Sequence, residues 1–220
     1  MVAEAFVLLV PVKRLSAAKS RLGLDSPSSR RLMKAFVRDA VAAALACPQV
    51  AHVRLVSAER SLADSCGVGC WPDEGEGDLN LALARAAGRA RRFHASHGVA
   101  AMCADLPCLT AADLSVALAG TPEERWYVSD SKGTGTTLLA ARPGLDLRPH
   151  FGPGSADRHA GSGATALLAA VPTVRLDVDT RDDLEQAVAL GVGRHTAGVL
   201  DGLDIATDQD RGRPTRGHRR

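Results

Sequence analysis

The sequence predicts an α/β domain in which a mainly parallel sheet is covered by helices on both faces, giving three layers. Short apolar runs alternate along the chain with segments of helical spacing, as in the strand–helix–strand units that build parallel sheets. The 220 residues are 45% hydrophobic and 24% charged, which is a globular composition. A chain of this length buries enough surface to fold without a disulfide framework or a structural metal.

Five elements are predicted in the first half of the chain. Phe6–Val12 is an unbroken apolar run, typical of a strand covered on both faces, and His52–Ser57 alternates like a second strand. Between them, helical spacing runs from Pro27 up to Cys47–Pro48, and Ser26 can cap this helix. Arg60–Cys66 predicts a short helix that stops at a glycine, and Leu79–His97 predicts a longer one.

The second half is predicted to add two helices and four strands. The helices begin at threonines followed three residues later by an aspartate, the spacing of a capping box: Thr110 with Asp113, and Thr180 with Asp183. The strands are the apolar runs Val99–Cys103, Trp126–Ser129, Thr136–Arg142 and Val174–Val178. Residues 1–200 are expected to form a single domain.

The end of the chain differs in charge from the rest. Residues 211–220 contain five arginines and no acid, and without them 22 bases face 25 acids. We therefore expect residues 201–220 to be a disordered basic tail on a slightly acidic domain. Such a domain, with only 3% aromatic residues, lacks the basic face and the stacking platform of a nucleic-acid-binding protein. Because no apolar run has the length of a membrane span and no signal peptide is recognisable, a cytoplasmic protein is expected.

The loops beyond the carboxyl ends of the strands form the candidate site, because ligands of such sheets bind there. The first of them, Lys13–Arg21, has four bases in nine residues, and these cations suit the oxygens of a polyphosphate. The loop lacks the glycines of a P-loop, and a solvated basic loop is the alternative interpretation.

Carboxylates follow two of the other strands. Asp105 lies between an apolar strand and Pro107, and Asp177 and Asp179 share one face at the end of the last expected strand. Carboxylates from two strands that meet over one pocket can hold one or two magnesium ions, as in in-line displacement at phosphorus. The alternatives are a turn residue for Asp105 and a helix cap for Asp179.

Two glycine-rich segments offer backbone N–H groups and hydroxyls to an anion. They are Gly133–Thr137 and Phe151–Ser155, and a plain hairpin loop is the alternative for each. His150 and His159 are candidate phosphate ligands, although a lone histidine is more often structural. Asp78–Asn80 has the residue types of a helix cap.

The segments around these candidate residues also resemble a known family. Residues 11–22, PVKRLSAAKSRL, match the signature P-V-K-x-L-x-x-A-K-[ST]-R-L of the CofC/FbiD family. Further motifs follow in the family's order over about residues 6–193: Asp105–Pro107, Gly133–Thr136, Phe151–Ser155 and Asp177–Thr180. Members of this family are guanylyltransferases of coenzyme F-420 biosynthesis that act on phosphoenolpyruvate or 2-phospho-L-lactate.

The resemblance implies a Rossmann-like nucleotidyltransferase fold of the GT-A-like type. It also implies transfer of GMP from GTP to the phosphate of the acceptor, release of pyrophosphate, Mg²⁺ as cofactor, and a downstream transferase that takes up the product. Asn80 would lie near the guanine or the ribose, and Lys13, Lys19 and Asp105 would be catalytic. The implied ligand sets are Lys13, Lys19, Arg21 and Asn80 for GTP, Thr136, Gly152 and Ser155 for the acceptor, and Asp105 with Asp177 or Asp179 for the metal.

One residue departs from the family pattern. Gly154 stands where a polar residue, often Asp, is expected, and this leaves the identity of the acceptor open. The nearest alternative is a nucleotidyltransferase of the same fold that uses 3-phosphoglycerate, a sugar phosphate or a pterin. A more distant alternative is a non-catalytic nucleotide-binding module. The two carboxylate sites argue against it, since a pure binder needs no paired metal ligands.

Overall fold

The computed structural model describes residues 4–12, 22, 26–121 and 123–203 of the chain. Its strands are β1 (Phe6–Pro11), β2 (Val50–Val56), β3 (Gly69–Trp71), β4 (Gly98–Met102), β5 (Arg125–Ser129), β6 (Thr136–Ala141) and β7 (Thr165–Ala166). Its helices are α1 (Ser26–Leu45), α2 (Arg60–Cys66), α3 (Leu79–Phe93), α4 (Ala111–Ala119), α5 (Ser155–Gly161), α6 (Pro172–Arg175), α7 (Arg181–Leu190) and α8 (Arg194–Asp201).

The strands form one sheet in the order β3-β2-β1-β4-β6-β5-β7. The central strand β1 pairs in parallel with β2 and β4, while β3 pairs in parallel with β2, and β7 with β5. Strand β6 runs antiparallel to its neighbours β4 and β5. The sheet is therefore mainly parallel, as predicted, and β6 begins at the edge where β4 and β5 end.

The apolar side chains of β1 alternate between the two faces of the sheet. Phe6, Leu8 and Val10 belong to a cluster with residues of α1, α2 and α4, whereas Val7 and Leu9 pack with residues of α3. A third apolar cluster joins α1 to α7. Helices thus cover both faces of the sheet, which confirms the predicted three layers.

The prediction of a last strand over Val174–Val178 is wrong. Residues 172–175 form the short helix α6, which begins at Pro172, and residues 176–179 belong to no strand. The edge of the sheet beyond β5 is occupied instead by the two residues of β7. Val174 is nevertheless fully buried in the cluster beneath α1 and α4. The apolar pattern therefore reflects packing onto the sheet rather than strand pairing.

Several other elements differ from the expected ones. The sequence does not predict β3, α5 or α8, and the helix expected over Leu79–His97 ends at Phe93. Thr180, which precedes α7, and Asp183, in its first turn, form the predicted reciprocal capping box. The carboxylate of Asp113 instead accepts hydrogen bonds from the hydroxyl and the N–H of Thr173, at 2.8 and 3.0 Å, which ties α4 to α6. Among the described residues, no helix has the length and apolar character that crossing a membrane requires.

Candidate functional site

Among the described residues, the segments that carry predicted site residues meet at one edge of the sheet. Strands β1, β4 and β5 end at this edge and β6 begins there, as the register of β4 and β6 requires. Val12, which precedes the basic loop, is fixed at this edge because its carbonyl accepts a hydrogen bond from the Ser57 hydroxyl at 2.7 Å. Lys13, Lys19 and Arg21 lie outside the described residues, so their contacts stay predictions.

The structure brings together the carboxylates predicted to bind a metal. The N–H of Val178 donates to the carbonyl of Asp105 at 3.0 Å, so the two loops touch although no strand leads into Asp177. Burial, and then the negative charges of Asp105, Asp179 and Asp130, raise the pKa of Asp177 to about 7. These groups therefore repel one another at the end of β4.

Such a group of carboxylates fits Mg²⁺, which relieves the repulsion and prefers oxygen ligands. Among the residues that the structure describes, no group of three or more His, Cys, Asp or Glu side chains is arranged to hold a metal ion. A magnesium ion takes one or two carboxylates and completes its shell with water and substrate phosphates. A pair formed by Asp105 with Asp177 or Asp179 fits an open site of this kind and not a structural metal cage.

Lys132 is a residue of this site that the sequence does not single out. Its side chain is 60% exposed, and its Nζ lies 3.1 Å from Oδ1 of the buried Asp183. This hydrogen bond raises the pKa of Lys132, and the charges of Asp177 and Asp179 act in the same direction. The sequence marks only the glycines around Lys132, because its partner lies 51 positions further along the chain.

The loop between β5 and β6 is shaped by Asp130. A carboxylate oxygen of Asp130 accepts from the N–H of Thr134 at 2.9 Å, and its backbone carbonyl accepts from Arg175 at 3.1 Å. Gly135 has no room for a side chain, since a Cβ there would lie 2.5 Å from Oδ2 of Asp130. The loop is thus a hairpin connection held rigidly between the carboxylates and the start of β6.

The three residues predicted to bind the acceptor lie beside this loop. Thr136 is buried at the start of β6, and its Oγ1 lies 2.9 Å from Nδ1 of His159. Ser155 is buried at the start of α5, and its N–H donates to the carbonyl of Gly152 at 3.0 Å. A further bond, from the Ala156 N–H to the carbonyl of Thr134 at 3.1 Å, joins α5 to the β5–β6 loop. The residue pattern of Phe151–Ser155 therefore leads into a helix, and not into the simple hairpin considered as its alternative.

Asn80 holds the segment that carries Gly152. Its Oδ1 accepts from the N–H of Phe151 at 2.6 Å and its Nδ2 donates to the Phe151 carbonyl at 3.1 Å. The preceding Asp78 caps α3, as predicted, by accepting from the N–H of Asn80 at 2.7 Å. The amide of Asn80 is thus engaged within the protein, and its expected contact with guanine or ribose stays a prediction.

Comparisons with known proteins show which family this chain is similar to. A family model described as guanylyl transferase, CofC like, matches residues 6–219. The match is longer than the span of about residues 6–193 expected from the motifs, and it includes most of the predicted tail. The chain is 48% identical over 209 residues to a phosphoenolpyruvate guanylyltransferase of Streptomyces coelicolor, covering 91% of this chain and 98% of that one. It is 46% identical over 210 residues to the protein of the same name from Geodermatophilus obscurus, covering 90% and 95%.

Solved structures share the fold at low sequence identity. A nucleotidyl transferase from Methanothermobacter superimposes with a TM-score of 0.55 at 15% identity, covering 84% of this chain and 97% of that one. A cytidylyltransferase from Leptospira borgpetersenii superimposes with a TM-score of 0.53 at 12% identity, covering 90% and 93%. The predicted α/β nucleotidyltransferase fold is therefore confirmed.

Proposed function

This chain belongs to the family of CofC-like guanylyl transferases, and we propose that it transfers GMP from GTP to the phosphate of phosphoenolpyruvate. The observation that carries the proposal is the meeting of Asp105 with Asp177–Asp179 beside the loop that ends at Thr136. The relatives named phosphoenolpyruvate guanylyltransferase support this acceptor. 2-Phospho-L-lactate remains the alternative acceptor. We further propose a cytoplasmic reaction whose product passes to a downstream transferase.

The reaction is a displacement at the α-phosphorus of GTP. A phosphate oxygen of the acceptor forms a bond to that phosphorus, the bond from phosphorus to the oxygen bridging the α- and β-phosphates breaks, and pyrophosphate leaves. The acceptor phosphate is already a competent nucleophile near pH 7, so no general base is required. This agrees with His159, which is fully buried and held in the neutral form. The protein contributes positioning and charge neutralisation.

Three groups of residues divide this work. Lys13, Lys19 and Arg21 would bind the triphosphate, and Asp105 with Asp177 or Asp179 would hold Mg²⁺. When bound, the metal neutralises the nucleotide phosphates and makes the α-phosphorus more electrophilic. The acceptor is bound by Thr136, Gly152 and Ser155.

The experiment is to incubate the protein with GTP, phosphoenolpyruvate and Mg²⁺ and to measure pyrophosphate while identifying the product by mass spectrometry. ATP and CTP are the matched controls for the donor, and 2-phospho-L-lactate, 3-phosphoglycerate and a sugar phosphate are those for the acceptor. We expect Mg²⁺-dependent turnover with GTP and phosphoenolpyruvate. Turnover only with another acceptor would reassign the substrate, whereas GTP binding without any product would favour a non-catalytic nucleotide-binding module.

A further inference from the structure

His159 is a buried histidine whose two ring nitrogens both have partners. It lies in α5 with no exposed surface, and the ring of Phe151 packs edge-on at a centroid distance of 5.2 Å. The backbone N–H of His150 donates to Nε2 at 2.9 Å. On the other side of the ring, Nδ1 lies 2.9 Å from Oγ1 of Thr136.

These two contacts determine which nitrogen carries the hydrogen. A backbone N–H can only donate, so Nε2 must offer its lone pair and a neutral ring carries its hydrogen on Nδ1. Burial lowers the pKa of His159 to about 4, and the charges of His150, Arg125 and Arg158 act in the same direction. A hydrogen bond with the backbone of Ser155 acts the other way without offsetting them. The ring is therefore neutral near pH 7.

The tautomer in turn determines the role of the Thr136 hydroxyl. With its hydrogen on Nδ1 the ring has no free lone pair at this nitrogen, so Oγ1 of Thr136, 2.9 Å away, cannot give its own hydrogen to the ring. Among the residues that the structure describes, no second hydrogen-bond partner of this hydroxyl is present. Its hydrogen is thus left for a ligand. A fixed hydroxyl donor suits an anionic oxygen, since hydrogen bonds to charged acceptors are the stronger ones.

We propose that His159 is a positioning residue that orients the Thr136 hydroxyl as a hydrogen-bond donor to an anionic oxygen of the phospho-acid acceptor. The proposal rests on the proposed function, because it takes Thr136 to be an acceptor ligand. It assigns to His159 neither contact with the substrate nor proton transfer. It also gives a reason for a histidine at position 159, a buried position that an apolar side chain could fill.

The first test does not depend on activity. Long-range ¹⁵N–¹H NMR spectra of the wild-type protein without substrate distinguish the two neutral tautomers of His159. We expect a protonated Nδ1 and an unprotonated Nε2. The opposite tautomer would overturn the proposal, because the Thr136 hydroxyl would then have to donate to the ring.

The second test uses two variants that each keep one of the two ring contacts. His159→Asn keeps a donor near the position of Nδ1, and His159→Gln keeps an acceptor near that of Nε2. We expect His159→Gln to raise the KM for phosphoenolpyruvate by about 10- to 100-fold, the loss of one hydrogen bond to a charged group. The KM for GTP should stay the same, and His159→Asn should restore most of the acceptor affinity.

A double variant separates this role from a purely structural one. In a Thr136→Val background, His159→Gln should cause no further rise in the acceptor KM, although it still changes the melting temperature. Additive effects on KM, or an unchanged KM in His159→Gln, would overturn the proposal. If neither His159 variant folds, the wild-type tautomer decides alone. If the wild type turns over no phospho-acid, the proposed function fails, and the NMR result still reports on the hydrogen-bond chain.

Discussion

Among single residues, the carboxylates of Asp105, Asp177 and Asp179 oppose folding and support function. Asp177 is partly buried, and its pKa is raised to about 7 by burial and by the charges of Asp105, Asp179 and Asp130. Like charges held this close destabilise the protein until a cation joins them. A site that binds a metal ion together with a polyphosphate requires such a group of carboxylates, although it lowers the stability of the free protein.

Replacing Asp105 by Asn should therefore separate activity from stability. We expect at least about a 100-fold loss of turnover, because a charged ligand at the reacting phosphate is lost. The melting temperature without Mg²⁺ should stay the same or rise, because one negative charge leaves the group. Enzyme assays and thermal unfolding of the same preparation measure the two quantities.

Asp64→Asn is the matched control, because Asp64 is exposed on α2 and belongs to no part of the site. It should change neither quantity. Near-normal turnover of Asp105→Asn would show that Asp105 is not a metal ligand. A large loss of stability would show that its carboxylate is structural.

His159 should make stability depend on pH in the acid range. Its pKa is lowered to about 4 in the folded protein and is near 6.5 in the unfolded chain, so unfolding takes up a proton between these values. Stability from this group is complete above pH 6.5 and falls as the pH drops toward 4. From pH 7 to pH 5 the loss should be about 2 kcal/mol. Protonation of Asp177, whose pKa in the folded protein is about 7, stabilises the protein over the same range. The contribution of His159 is therefore measured as the difference in pH dependence between the wild type and His159→Gln, from urea unfolding at both pH values.

The sequence predicts the individual residues of the site unevenly. Asp105 and Asp177 can be found because each follows an apolar run, but only Asp105 follows a strand of the sheet. Asp177 is brought beside it by the hydrogen bond between the loops, which the sequence does not show. Lys132 cannot be found in this way, since its importance lies in its distance from Asp183. The pairing of His159 with Thr136 is also invisible, because it depends on a helix that no periodic pattern predicts.

At the scale of elements, α8 is held by a residue from α1. Both carboxylate oxygens of Asp39 accept backbone N–H groups of the first turn of α8, from His195 at 3.0 Å and Thr196 at 2.8 Å. Asp39 thus replaces a local cap, which the N-cap residue Gly193 cannot provide. The sequence does not predict α8 because its cap lies more than 150 positions away.

Two glycine substitutions test this arrangement. A Cβ at Gly193 would lie 2.5 Å from Oδ1 of Asp39, whereas a Cβ at Gly198, within α8, meets nothing within 4 Å. We expect Gly193→Ala to destabilise the protein by about 1–3 kcal/mol, because Asp39 must move. Gly198→Ala should stabilise it by about 0.5–1 kcal/mol through helix propensity. Denaturant unfolding measures both, and equal effects would contradict the role of Asp39.

Helix α3 and the segment before α5 are joined by Asn80. Asn80→Ala removes both hydrogen bonds to the Phe151 backbone and should cost about 1–3 kcal/mol of stability. Because Gly152 follows Phe151 directly, the KM for the acceptor should rise as well. Unfolding curves and steady-state kinetics measure the two effects.

Asp78→Ala is the control for this link, because it removes the cap of α3 and leaves the amide of Asn80 in place. It should lower stability by about 1 kcal/mol and leave the acceptor KM unchanged. An unchanged acceptor KM in Asn80→Ala would mean that Asn80 supports only the fold.

At the scale of the whole molecule, the three-layer architecture can be predicted from the sequence, but the edge strands of the sheet cannot. The unbroken apolar run from Phe6 to Val12 is long enough to predict a strand covered on both faces, and the helices between the strands then require three layers. The edge strands β3 and β7 have three and two residues, which is too short for any period to appear. Val174 is apolar and buried, as a residue of the sheet would be. Only its backbone hydrogen bonds, which the sequence does not show, distinguish the helix α6 from a strand.

The same architecture predicts how the protein responds when metal is removed. The three apolar clusters are built mainly from side chains of the strands and helices, and the carboxylates of Asp105, Asp177 and Asp179, which lie in loops, belong to none of them. The core is therefore complete without a metal ion, and EDTA should abolish turnover while leaving far-UV circular dichroism and cooperative melting unchanged. Added Mg²⁺ should restore turnover, and Mg²⁺ with GTP at about 100 times its Kd should raise stability by about 2.7 kcal/mol. Unfolding caused by EDTA alone would mean instead that a metal is part of the fold, as in structural zinc sites.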